Sequence, residues 1–192
     1  GMRIPFAGII GDAGIGLLAP AFELYMMVML LFSYGISRTM TGLIRYRVKR
    51  GQFKNADRIF HTALRLSLLF GLILALVLAA GAGFLSETVF LETMSSRVIL
   101  VAAPITVLTA AVSAFRGFFN GNGFGPLVAW SKYNEKTVML IAGIVSGKLY
   151  YGYGRKVAAL LKNDMPAYAN GAFGVMIGIM IAELITLIYL SA

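Results

Sequence analysis

The sequence feature that most constrains the fold is a short basic stretch that separates two long apolar runs. Residues 45–58 read RYRVKRGQFKNADR and carry six basic side chains against the single acid Asp57. A helix that spans the hydrocarbon core needs about 20 mostly apolar residues, and both flanking runs are long enough. Because such basic connectors stay on the cytoplasmic side of a membrane, we expect residues 45–58 to face the cytoplasm. The apolar neighbours argue against a nucleic-acid partner.

The composition agrees with an integral membrane protein. Of the 192 residues, 59% are hydrophobic and 13% are charged, whereas a soluble domain has about 25% charged residues. The net charge of +9 is concentrated near the ends of the apolar runs, which favours membrane lipids with anionic headgroups as partners. The chain has no cysteine and a single histidine, His61, so disulfides, thiolate nucleophiles and histidine clusters are excluded.

The apolar runs predict an all-α fold, because irregular backbone cannot face lipid. We expect a polytopic transmembrane helix bundle that forms one lobe over residues 1–192, with about five full spans after a truncated first helix. A tight turn is predicted at residues 11–16 (GDAGIG), a second turn at 120–126, and a polar connector at 150–166. The predicted helices cover about residues 1–10 (partial), 17–44, 56–85, 95–119, 127–149 and 167–190.

The connectors alternate between the two sides of the membrane if each helix crosses it once. With residues 45–58 inside, residues 11–16, 86–94 and 150–166 lie outside, and residues 120–125 lie inside. Arg155, Lys156 and Lys162 then lie outside, against the positive-inside tendency. A short interfacial helix at 156–161 would account for them.

Ionisable residues in or beside apolar helices are the candidate site residues, because burying them in a membrane costs a few kcal/mol unless they face a polar cavity or a partner. Glu135 has Lys132 three residues before it on the same helix face. It is either a cavity-lining carboxylate, for cation coupling or headgroup contact, or part of a local Lys–Glu pair. Glu183 is either a second cavity acid or a packed, protonated carboxyl. The candidates for the substrate path on these helices are Glu23, Arg38, Arg116, Lys132 and Glu135. Arg38 could face a cavity, but its position favours a side chain that snorkels to the interface.

No enzyme motif is present in the sequence. The chain lacks a phosphate-binding GxxxxGK[ST] loop, an HExxH zinc motif and a nucleophile elbow. We therefore expect no catalytic residue, no metal site and no cofactor beyond a Na⁺ or H⁺ coupling ion.

Six segments of the sequence resemble those of one protein family. They are GMRIPFAGIIGDAGIGLLAPAFELY, SYGISRTMTGLI, VKRGQFKNADRIFHTAL, FRGFFNGNG, SKYNEK and YANGAFGVMIGIMIAELITLIYL. On these segments the chain resembles the polysaccharide-biosynthesis and stage V sporulation protein B-like flippases, which belong to the MATE-like multidrug/oligosaccharidyl-lipid/polysaccharide flippase superfamily. The segment SKYNEK is similar to the family's Ser-Gln-x-x-Glu-Gln.

The resemblance implies a two-lobed transporter of the bacterial cytoplasmic membrane that moves a lipid-linked saccharide or cell-wall precursor by alternating access. This chain would be most of the N-terminal lobe, and the missing C-terminal lobe would be its partner. Arg3 matches a basic residue at the end of the family's first helix and is the candidate for phosphate contact. Glu135 matches the family's fifth-helix glutamate, and Arg116 matches its turn motif. Lys132 replaces the family's usual glutamine.

Lipid II flippases place basic side chains in the second helix where this chain has Met26, Met27 and Met29, which argues against lipid II as the specific substrate.

Two other functions remain open at this point. A cation-coupled multidrug antiporter of the same superfamily would instead use carboxylates in the cavity. A non-transporting membrane scaffold would pair its isolated charges rather than expose them to a cavity.

Overall fold

The computed structural model describes residues 3–89 and 95–192, with the side chains of residues 6–88 and 95–192. Every regular element in these ranges is helical, which confirms the predicted all-α class. A π-helical stretch, Leu31–Ser37, joins α1 to α2, and a second one, Leu85–Val89, extends α3. The α-helices are α1 (Arg3–Leu30), α2 (Arg38–Lys49), α3 (Phe53–Phe84), α4 (Ser96–Gly121), α5 (Gly125–Leu161) and α6 (Met165–Ser191).

Four helical segments of the described chain are long and apolar enough to cross a membrane. They are Phe6–Lys49, Phe53–Thr88, Ser96–Gly121 and Met165–Ser191. The predicted fifth span, α5, has 37 residues, but Glu135, Lys136 and Lys148 interrupt its apolar sequence. Its crossing of the membrane therefore stays a prediction.

The predicted break between a first and a second helix lies at Gly11, but it is shorter than predicted. Within Arg3–Leu30 two helical parts meet at a kink at Gly11, whose φ is 66° and ψ is 176°, and residues 12–16 are helical rather than part of a turn. Glycine adopts a positive φ at little cost, so one residue absorbs the change of direction. The neighbouring Ile10 is fully buried and packs so closely on Gly171 of α6 that a Cβ there would lie 2.6 Å from its Cγ2 atom. This packing holds the end of the first helical part against α6.

The basic stretch folds as the end of α2, a tight turn and the start of α3. The turn residue Gly51 has a φ of 70°, and Arg47 donates a hydrogen bond of 2.9 Å to the Gln52 side chain. Before the turn, the small residues of the π-helical stretch approach α4 closely, as their size predicts. A Cβ on Gly117 would lie 2.9 Å from the backbone oxygen of Ser37.

The helix α4 lies at the centre of the bundle, and α3 packs on it through a stripe of small residues. A Cβ on Gly71 of α3 would lie 2.9 Å from the Cβ of Ala110. Small residues allow such close helix contact in membranes. The other side of α3 exposes large apolar side chains, among them Leu69 (55% exposed) and Leu76 (62%). Contiguous apolar surface of this kind is typical of lipid contact.

The prediction of a connector at residues 150–166 is wrong in extent, because α5 continues to Leu161. Gly154 lets the two backbones meet: a Cβ on it would lie 2.8 Å from the Cα of Ala167. The residues assigned to an interfacial helix are thus the end of α5. Further along, a Cβ on Gly174 would lie 2.5 Å from the Ser146 backbone oxygen. Gly174 thus lets α6 pack closely on α5 within the chain.

Candidate functional site

A buried ion pair joins α4 to α5. Arg116 is 4% exposed and Glu135 is 1% exposed, and the Arg116 Nη2 atom donates to Glu135 Oε2 over 2.6 Å. The two residues lie 19 positions apart on different helices, which meet here because the turn between them is short. A charge-assisted contact of this length is among the strongest hydrogen bonds in proteins.

A second cation shares the same carboxylate. Lys136 Nζ lies 3.2 Å from Glu135 Oε1, and its side chain is 36% exposed. The same ammonium lies 3.9 Å from the Met29 sulfur of α1. The network thus brings two basic groups to one carboxylate, which leaves an excess of positive charge when all three are ionised. Such a site favours an additional anion electrostatically.

Ser131 links Arg116 to a small cavity. Its hydroxyl accepts a hydrogen bond of 3.1 Å from Arg116 Nε and donates to the Val128 backbone oxygen over 2.9 Å. Ser131 also lines a cavity of about 160 Å³ between α5 and α6, whose other lining residues are Asn134, Val138, Ile185, Thr186 and Tyr189. The exposed lining of this cavity is mainly apolar.

A second buried carboxyl, Glu183 of α6, is held by two hydroxyl groups. Tyr25 of α1 donates to Glu183 Oε1 over 3.0 Å, and Thr109 of α4 donates to the same atom over 3.1 Å. Glu183 is 2% exposed, and its Oε2 atom has no hydrogen-bond partner within the described part of the chain. Arg116 and Glu135 lie within electrostatic range of this carboxyl, so the two clusters influence each other.

The structure brings only some of the predicted residues together. Arg116 and Glu135 form the centre of the site, whereas Glu23, Arg38 and Lys132 are exposed. The side chain of Arg3 lies outside the described residues. Substrate contact by any of these six residues stays a prediction.

The cations beside Glu135 are not the one that helix spacing indicated. Lys132 was the expected partner, three residues before it, but the contacts come from Arg116 and Lys136. Sequence reasoning also missed Tyr25 and Thr109, since a hydroxyl inside an apolar helix gives no signal of its partner. Only the buried charge of Glu183 indicated that some polar partner was needed.

Comparison with known proteins places the chain in a family. The polysaccharide biosynthesis protein family matches residues 1–191. The chain belongs to this family. Stage V sporulation protein B of Bacillus subtilis (strain 168) is 23% identical over 188 residues, which cover 98% of this chain and 34% of that protein. The chain therefore spans about a third of the length of this curated relative. No solved structure matches it significantly.

Membership in the polysaccharide biosynthesis protein family and the apolar helices together identify a multi-pass membrane protein. In such a protein, a buried arginine and two buried glutamates within helices are costly, and residues of this kind are candidates for contact with ions or polar substrates. The Arg116–Glu135–Lys136 network and the Glu183 cluster are accordingly the candidate functional site of this family member.

Proposed function

We propose that this chain is the N-terminal lobe of a flippase that moves a lipid-linked saccharide across the bacterial cytoplasmic membrane. The observation that carries the proposal is the buried network in which Arg116 and Lys136 share the carboxylate of Glu135. The phosphate groups that link such a saccharide to its lipid are anionic, and carrying them through hydrocarbon requires basic partners. Family membership supports transport as the activity.

The network holds Arg116 in a state in which its partner, the Glu135 carboxylate, can be exchanged for a phosphate. Without substrate, Glu135 neutralises Arg116, so the guanidinium does not remain buried without a counter-charge. A phosphate can replace the carboxylate, because a guanidinium forms charge-assisted hydrogen bonds with phosphate oxygens as it does with carboxylate oxygens. The displaced carboxylate keeps Lys136, whose ammonium is partly exposed. Exchange of partners at Arg116 would then accompany the change between inward-open and outward-open states.

A second lobe completes the transporter in this proposal. Alternating access requires two bodies that rock about a central site, and the chain covers about a third of its curated relative. The C-terminal lobe would provide the opposite wall of the cavity. Cell-wall or polysaccharide precursors are the substrate class that the family name favours.

Cation-coupled drug export is the second candidate function, and Glu183 favours it. A carboxyl that is 2% exposed with one oxygen lacking a hydrogen-bond partner in the described residues is suited to hold a coupling H⁺ or Na⁺. Glu135, in contrast, is already neutralised by Arg116 and Lys136, which makes it a poor site for an organic cation. The network therefore favours an anionic substrate, and Glu183 is the candidate for ion coupling.

Flipping in proteoliposomes tests the proposal. The complete protein that carries this lobe is reconstituted with a fluorescent polyprenyl-pyrophosphate saccharide, and a membrane-impermeant quencher reports the label on the outer leaflet. We expect protein-dependent exchange of this lipid and no export of an organic cation such as ethidium. Cation export without saccharide exchange would support the antiporter and refute the flippase.

A further inference from the structure

A groove between α2 and α3 lies apart from the buried network, next to the basic turn. Its volume is about 480 Å³, within the range of about 300–1,000 Å³ that small-molecule sites occupy. The α2 side contributes Leu43 and Arg47, and the α3 side contributes mainly Asn55, Arg58, Thr62 and Leu66.

The polarity of the groove changes along its length. Because α2 and α3 are antiparallel, Arg47 and Asn55 lie near the turn, while Leu43 and Leu66 lie further from it. Leu43 is 51% exposed and Leu66 is 50% exposed. The charged end therefore lies at the membrane surface and the apolar end points into the bilayer. An amphipathic ligand with a polar head and an apolar tail matches this gradient.

The charge of the groove specifies the head. Arg47 and Arg58 both line it, and Arg47 is half-buried with its Nη1 atom bonded to Gln52. The acid of this stretch, Asp57, lies one residue before Arg58, about 100° around the helix. Its carboxylate faces His61, at 3.5 Å. Two arginines without an acid in the groove favour a phosphate group.

The exposed face of α3 continues the groove towards the bilayer centre. Leu69 is 55% exposed and lies seven residues, or two helical turns, beyond Thr62. Eleven residues separate Arg58 from Leu69, a rise of about 16 Å, which is the thickness of one leaflet of a core about 30 Å thick. Arg65 is exposed on this face between Arg58 and Leu69, and its long side chain can extend back to the interface. An acyl chain can thus follow the leucines while its phosphate stays at the arginines.

We propose that this groove binds an anionic glycerophospholipid of the cytoplasmic leaflet, such as phosphatidylglycerol. The phosphate contacts Arg47 and Arg58, Asn55 and Thr62 contact the headgroup and glycerol, and an acyl chain lies along Leu66 and Leu69. With the basic turn on the cytoplasmic side, the bound lipid fixes the α2–α3 hairpin at the inner surface of the membrane. This site is independent of the transported substrate.

Titration of the delipidated protein in detergent with phosphatidylglycerol tests the proposal, with bound lipid measured by native mass spectrometry. Salt at about 0.5 M shortens the screening length to a few ångströms, which leaves mainly direct contacts. We expect the Arg47→Ala/Arg58→Ala double variant to bind about tenfold or more weakly. The matched control, Lys49→Ala/Lys54→Ala, removes the same charge from exposed positions of the same stretch that do not line the groove, and it should change the affinity less than threefold.

A second variant keeps every charge. Thr62→Trp places a large side chain in the groove from an exposed position. It should weaken binding about tenfold or more, as expected for the double arginine variant, and it tests the groove if the arginine variant does not fold. Equal losses in the two charge pairs would overturn the proposal in favour of diffuse attraction. Phosphatidylcholine binding as tightly, inorganic phosphate at millimolar concentration displacing the lipid, or a polyprenyl-pyrophosphate saccharide binding the groove more tightly would each overturn it too.

Discussion

Loss of Glu135 should destabilise the fold more than loss of Arg116, although the two residues form one pair. Removing one partner of a buried ion pair costs about 3–5 kcal/mol, because the other charge stays buried without compensation. After Arg116→Met, Glu135 still has Lys136 at 3.2 Å, so we expect a loss near the lower end, about 3 kcal/mol. After Glu135→Met, the only described hydrogen bond left to the Arg116 side chain is the one to the Ser131 hydroxyl, and no carboxylate remains in direct contact with it, so we expect about 4–5 kcal/mol.

The double variant Arg116→Met/Glu135→Met supplies the control. Replacing a buried ion pair by apolar side chains of similar size is often neutral or stabilising, so the double variant should be within about 1 kcal/mol of the unmodified protein. Thermal unfolding in detergent, followed by the fluorescence of Trp130, measures the order of stability among these variants. For a chain of this size, a loss of 3 kcal/mol lowers Tm by about 6–12 °C. The reasoning is refuted if the Arg116 variant is the less stable single variant, or if the double variant is less stable than both.

Three further predictions concern single contacts. Gly174→Ala should lower the free energy of unfolding by about 1–3 kcal/mol, because its Cβ would overlap the Ser146 backbone of α5. The control Gly152→Ala, whose Cβ would lie in open space, should be neutral or stabilising in the same unfolding assay. Tyr25→Phe removes a hydroxyl that donates to Glu183 and should cost about 1–3 kcal/mol, measured by the same melts; an unchanged Tm would show that this contact is not stabilising. Lys132→Ala should change stability by less than about 0.5 kcal/mol, since this side chain is exposed, and a larger loss would indicate a partner for it.

The helical class and most of the spans could be predicted from the sequence because hydropathy acts locally. An apolar run of 20 or more residues has few alternatives to a helix in lipid, so the segments later seen as α3, α4 and α6 followed from their composition. The basic connector at residues 45–58 also followed from local chemistry, because its basic residues exclude a membrane interior. The turn within it lies at Gly51, which takes a positive φ.

Long-range packing explains the helix boundaries that the sequence did not predict. The glycines of residues 11–16 signal a turn, and the helix is interrupted at Gly11, but residues 12–16 are helical. Gly154 appears to local rules as part of a connector, whereas its contact with Ala167 keeps α5 helical. At Gly154 tertiary contact outweighs the intrinsic tendency of glycine to end a helix.

The buried charges of the candidate site were predictable, but their partners were not. Glu135, Arg116 and Glu183 stand out because they are ionisable residues in an apolar sequence. Helix periodicity indicates partners on the same helix only, and it therefore selected Lys132. The actual contact between Arg116 and Glu135 depends on how the short turn places α4 against α5.

The most direct test of the proposed function is the transport activity of the Arg116→Met/Glu135→Met double variant, since we expect it to be folded. In the proteoliposome assay, we expect the double variant to exchange the lipid-linked saccharide only at the protein-free rate. The matched control is Arg97→Met, which removes one positive charge from an exposed position on the same helix α4 and should leave exchange unchanged. Exchange by the folded double variant at the rate of the unmodified protein would show that the Arg116–Glu135 pair does not take part in transport.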